Sequence, residues 1–130
     1  MQNIKSFDTK PYMTIGIIVV NIIVFVLMSI SGSTLDAQYM AAHGAMYPEY
    51  IKDGQYWRLF TSMFMHFGLM HILNNMVVLG AVGQIVEKAM GHVKLLITFL
   101  VSGMCGSVLS YIVMPVSYTH LRAHETAANL

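Results

Sequence analysis

The sequence predicts an all-α protein that crosses a membrane more than once, and three observations predict it. Of its 130 residues 56% are hydrophobic and only 10% charged, where soluble domains carry about 25% charged residues. Three apolar runs, about 13–30, 67–86 and 93–114, are each long enough to cross a hydrocarbon core of about 30 Å with their flanks. Mean hydropathy is +0.63 over the whole chain, which agrees with a membrane protein. The net charge of +1 argues against a nucleic-acid partner. Cys105 is the single cysteine, which excludes an internal disulfide and leaves no thiolate framework for a metal.

Residues 1–12 form a short polar lead with Lys5 and Lys10. Pro11 marks a helix start, because its missing N–H is no loss in a first turn. The run 13–30 is too long for the apolar core of a secretory signal and lacks a small-x-small end, so it reads as a retained span. Asn21 lies near its middle and is expected to face another helix through an interhelical hydrogen bond. The SGS at 31–33 ends the helix. The first loop, 31–66, holds Asp36, Glu49, Lys52 and Asp53, with Pro48 and Gly54 as punctuation. It is expected to contain one short helix near 35–42, capped by Ser33 or Thr34. From Tyr56 to Phe67, aromatics and methionines gather around Arg58, a composition suited to the membrane–water interface.

The second span offers Gly80 and Gly83 for close helix packing and ends at Glu87, Lys88 and Gly91. In the third, Ser102, Gly106 and Ser110 recur every four residues, a strip expected to let another helix approach. Lys5, Lys10, Lys88 and Lys94 flank one side of the membrane, against Lys52 and Arg58 on the other. The positive-inside rule then places the N-terminus in the cytoplasm of a cell-membrane protein, with the first loop facing outward.

The chemistry concentrates between Gly54 and Glu87. His66, His71 and Asn75 stand where a bilayer disfavours polar groups. His71 and Asn75 are four apart and share one helical face, whereas His66 lies a turn or so before the span and off that face. Trp57-Arg58, then H-x4-H-x3-N and G-x3-E, ending at Gly83 and Glu87, form an ordered set. This set resembles the first half of the rhomboid intramembrane serine protease core, over about residues 13–115. The resemblance implies the first three helices of a six-helix bundle. It implies an endopeptidase that cleaves transmembrane substrates near the membrane surface with a Ser–His dyad and no cofactor. His71 and Asn75 would be the side-chain donors of its oxyanion hole. Trp57 and Arg58 would fix the first loop, His66 would order that loop or hold water, and Glu87 would hold helix ends together.

The chain holds no G-x-S-G and no late dyad histidine, so as it stands it is expected to be inactive. Gly103-Met104-Cys105-Gly106 reads G-x-C-G but lies mid-span within the small-residue strip, where a buried thiol would be unreactive. Two imidazoles and an amide with no nearby carboxylate make a poor metal site, so no metal is expected. The alternative function is a non-catalytic rhomboid-like protein that binds membrane clients. Retention of both His71 and Asn75 favours the protease.

Residues 116–130, VSYTHLRAHETAANL, break from what precedes them. Their first eleven residues, VSYTHLRAHET, resemble the conceptual translation of a transposase-type sequencing adaptor. They are expected to be a non-native tail, with the native frame continuing past Pro115. On that reading His120 and His124 are no metal pair.

Overall fold

The computed structural model describes the backbone of residues 10–128 and the side chains of residues 10–113. Among these residues six α-helices form: α1 Tyr12–Ser31, α2 Ala37–Ala42, α3 Pro48–Lys52, α4 Arg58–Thr61, α5 Gly68–Met90 and α6 His92–Ala128. A 3₁₀ turn, Ser62–Phe64, follows α4. The described residues contain no strand. Among the described residues three segments are long and apolar enough to cross a membrane: Tyr12–Ser31, Gly68–Met90 and His92–Val113. The lead 1–9 and the side chains of 116–130 fall outside the described residues.

α1 starts directly after Pro11, whose carbonyl accepts the first helical bond from the Ile15 N–H at 3.0 Å. It buries Thr14, Ile17 and Asn21, a 3- and 4-residue spacing that draws one stripe along the helix. That stripe faces α5. A Cβ added at Gly83 would sit 3.0 Å from the Thr14 methyl, and one at Gly80 3.7 Å from Ile18. The two glycines therefore let the helix backbones come close. Gly91 links α5 to α6 with φ +91°, a left-handed conformation that a side chain would strain. α6 packs through Phe99 on Phe64, with ring centroids 5.9 Å apart, and through Ser107 on Ser62, Oγ to Oγ 3.1 Å. Gly103 takes the Met63 side chain.

The first loop is folded in its own right. Asp36 caps α2 by accepting from the N–H groups of Gln38 (2.8 Å) and Tyr39 (3.2 Å). This corrects the expected Ser33 or Thr34 cap: Ser33 Oγ accepts only from the Leu35 N–H just before the helix. α3 had no counterpart among the expected elements. Met40, Ala45 and Met65 form a small core, with Met28 and Tyr39 packed on it. The Tyr39 hydroxyl donates to the Met28 carbonyl at 2.7 Å. The loop is thereby tied to the end of α1.

The packing face of α6 differs from the expected one. Ser102, Gly106 and Ser110 are exposed, and nothing lies within 4 Å of a Cβ added at Gly106. The helix uses the neighbouring stripe, Phe99, Gly103 and Ser107, because Met63 and Ser62 meet it there. Cys105 is likewise exposed rather than buried.

Candidate functional site

The N-terminal end of α5 is built by its own first turn. Phe67 is the N-cap residue in extended conformation but supplies no side-chain cap. His71 completes the turn instead: the Phe67 N–H donates to His71 Nδ1 at 3.2 Å. An accepting Nδ1 carries a lone pair, so the neutral ring holds its proton on Nε2. One turn on, Asn75 Nδ2 donates to the His71 carbonyl at 2.9 Å. An amide nitrogen has two N–H bonds, and one remains. His71 and Asn75 thus each keep one N–H donor, one turn apart at the same end of the helix.

His66 precedes α5 and is buried at 6% exposure. Its ring meets that of His71 edge-on, with centroids 5.1 Å apart. Spacing along a helix put His66 off the His71 face; the extended residues at Met65 and Phe67 turn the chain and bring the rings together. Burial, and then the neighbouring His71, hold the His66 pKa below its ordinary value of 6.5. Its Nδ1 has no hydrogen-bond partner. His66 and Asn75 line one cavity between α1, α5 and α6, together with Asn21 and Ser102. Asn21 was expected to bond across to another helix. Its Nδ2 instead donates to the Ile17 carbonyl of its own helix at 2.8 Å, and its Oδ1 has no partner.

Arg58 is the hub of the first loop. The guanidinium is buried at 4% exposure. Its Nη1 donates to the carbonyls of Ala41 and Ala45, the latter at 2.9 Å, and its Nε to Gln55 Oε1 at 2.8 Å. Tyr50 and Trp57 flank it, with ring centroids 4.4 and 4.8 Å from Cζ. A planar fork can satisfy carbonyls and stack on rings at once; a lysine cannot. Trp57 is half exposed and lies over Gly44, whose carbonyl accepts from Thr61 Oγ1 at 2.7 Å.

Glu87 is far from this end, about 24 Å from His71 along the helix axis. It is fully buried. One oxygen accepts from the Met13 N–H (2.7 Å), the other from the Thr14 N–H (2.8 Å) and Thr14 Oγ1 (2.6 Å). His92 Nδ1 contacts the first oxygen as well. The carboxylate of α5 therefore caps the N-terminus of α1, where free N–H groups and the helix dipole favour negative charge. Thr14 could not be singled out in the sequence, because its partner lies 73 residues away.

Among the described residues no three His, Cys, Asp or Glu side chains converge as a metal site. The chemistry available at the His71 end is hydrogen-bond donation from the remaining N–H groups of His71 and Asn75.

Comparison with known proteins falls on the same stretch. The Rhomboid domain family model matches residues 53–123. Rhomboid protease GluP of Bacillus subtilis (strain 168) is 33% identical over 106 residues, covering 82% of this chain and 21% of that protein. RHOMBOID-like protein 7 of Arabidopsis thaliana is 38% identical over 84 residues, 65% of this chain and 26% of its own length. Rhomboid protease GlpG of Pectobacterium atrosepticum is 38% identical over 92 residues, 71% and 32% respectively. The chain thus spans between about a fifth and a third of the length of these relatives. No solved structure matches it significantly. A family match over more than half of the chain, centred on the helix that carries His71 and Asn75, makes this multi-pass membrane protein a member of the rhomboid family.

Proposed function

We propose that the protein to which this chain belongs is a rhomboid-type intramembrane serine endopeptidase that cleaves transmembrane substrates near the membrane surface. His71 and Asn75 are its side-chain oxyanion donors, Trp57 and Arg58 hold the first loop, His66 orders the donor end, and Glu87 locks α1 to α5. The observation that supports this most is the pair of unspent N–H donors, His71 Nε2–H and the second Asn75 amide N–H, one turn apart. A protein that only binds clients has no oxyanion for such a pair to stabilise. The protease names of the relatives from Bacillus and Pectobacterium support the same reading.

On this reading the nucleophilic serine and the base histidine lie in sequence that follows Pro115 in the native gene, and residues 116–130 are not native. The 130-residue chain alone is inactive. Lys10, Lys88 and Lys94 mark the cytoplasmic side of the cell membrane and Lys52 and Arg58 the outer side. The test reads the gene past the Pro115 codon on an unsheared template and treats both products with a serine-reactive phosphonate probe. The proposal expects a G-x-S-G followed by a late histidine, labelling of the longer product and none of the 130-residue one. Labelling of the 130-residue chain would refute its inactivity. A frame that continues without that serine would replace the protease with the client-binding reading.

A further inference from the structure

Three consecutive residues of the first loop meet one stripe of α6 in reverse order. Ser62 Oγ lies 3.1 Å from Ser107 Oγ, Met63 lies over Gly103, and the Phe64 ring packs on Phe99 with centroids 5.9 Å apart. Positions 99, 103 and 107 are four apart and share one helical face, spread over about 12 Å of helix. Contacts so spread fix the direction of the 3₁₀ turn Ser62–Phe64 as well as its place. Gly103 leaves the room for this, since a Cβ there would lie 3.1 Å from Met63 Sδ and closer still to its methyl. Ser107 is buried.

The 3₁₀ turn leads into α5 without slack. The Met65 N–H donates to the Ser62 carbonyl at 3.2 Å, and the Met65 side chain is held in the small core with Met40 and Ala45. Only His66, itself buried, separates Met65 from Phe67. The Phe67 N–H then donates to His71 Nδ1 at 3.2 Å. That bond makes Nδ1 the acceptor and leaves the ring proton on Nε2. Among the described residues the His71 ring has no other hydrogen bond.

We infer that Phe99, Gly103 and Ser107 of α6 are positioning residues for His71. By docking the Ser62–Phe64 turn they place the Phe67 N–H on His71 Nδ1, and so keep the His71 proton on Nε2. They act through the turn. The catalytic consequence rests on the reading of His71 as an oxyanion donor; the positioning itself does not.

The test follows the Phe67 and Gly91 amide protons of the 130-residue chain in phospholipid bicelles by hydrogen exchange. The Gly91 N–H, bonded to the Glu87 carbonyl at 2.8 Å, reports the other end of α5. Gly103→Val displaces Met63 and should speed Phe67 exchange at least about tenfold while leaving Gly91 unchanged. The His71 imidazole nitrogen shifts should move with it, from an Nε2-protonated ring toward a mixture of both tautomers. Adding Met63→Ala, which vacates the space the valine takes, should restore both readouts. Unchanged Phe67 exchange, a rise that Gly91 shares, or a rise that Met63→Ala does not reverse would each overturn the inference. Should Gly103→Val lose helix content by circular dichroism, Ser107→Ala decides, since it removes only a hydroxyl. Phe67 exchange should again rise with Gly91 unmoved, and Ser62→Ala should reproduce the rise without adding to it. An unmoved Phe67 in Ser107→Ala would overturn the inference as well. In the longer gene product Gly103→Val should lower kcat about tenfold with KM little changed, and Met63→Ala should restore it. If Phe67 and His71 respond while kcat does not, the positioning stands and the oxyanion reading of His71 fails.

Discussion

Glu87 is the residue on which the contact between α1 and the C-terminal end of α5 depends most. It is fully buried, and its carboxylate meets two backbone N–H groups, a hydroxyl and an imidazole from two other helices. Removing it strands the Met13 and Thr14 donors away from water. Glu87→Ala should therefore destabilise the fold by about 3 kcal/mol in detergent unfolding, and Glu87→Gln, which keeps one acceptor oxygen, should cost less. His66 makes a prediction of the opposite electrostatic kind. Its pKa is lowered in the fold, chiefly by burial, so the unfolded chain binds a proton more readily than the folded one. Stability then rises with pH across the window from the lowered pKa up to about 6.5, and is lost as pH falls through that window. Thermal unfolding between pH 7.5 and pH 5 should show this loss, and His66→Asn should flatten it. The sequence marked His66 as a polar anomaly and Glu87 as a helix-end residue but could not assign their partners. Those partners are a threonine 73 residues away and a ring brought close by a non-helical turn.

At the scale of elements, apolar length made the three spans legible, and the small residues of α5 correctly marked a close helix contact. Gly83 is where that contact is tightest: an added Cβ would lie 3.0 and 3.1 Å from the Thr14 methyl and hydroxyl. Thr14 cannot rotate away without giving up its bond to Glu87. Gly83→Val should thus force α1 from α5 and cost about 1–3 kcal/mol, read as a lower unfolding midpoint with helix content retained. The first loop was less legible. Pro48 read as punctuation, yet it opens α3 at a position where proline is favoured, with Glu49 in the first turn and Lys52 in the last. Asp36 outcompeted Ser33 and Thr34 as a cap because its carboxylate reaches two N–H groups at once. On α6 the small-residue strip was visible, but periodicity alone does not say which stripe a neighbour will use. Met63 and Ser62 decided that, through contacts across 40 and 45 residues of sequence.

For the whole molecule, the two ends of α5 divide the labour. The C-terminal end is closed by the Glu87 cap on α1, and the N-terminal end presents His71 and Asn75 beside a folded loop clamped by Arg58. A rigid helix with both ends tied is a suitable mount for donors, since oxyanion stabilisation depends on donors that need no reorganisation during reaction. Family membership follows from the sequence match, whereas the catalytic use of the donors is a matter for kinetics. Its most direct measurement is the cleavage kinetics of a transmembrane substrate by the longer gene product in liposomes, for the parent, His71→Ala and Asn75→Ala. Each substitution should lower kcat by about 10²–10³ with a smaller change in KM, while the unfolding midpoint stays near that of the parent. Unchanged kcat in both variants, or a loss of activity that tracks only a loss of fold, would contradict it.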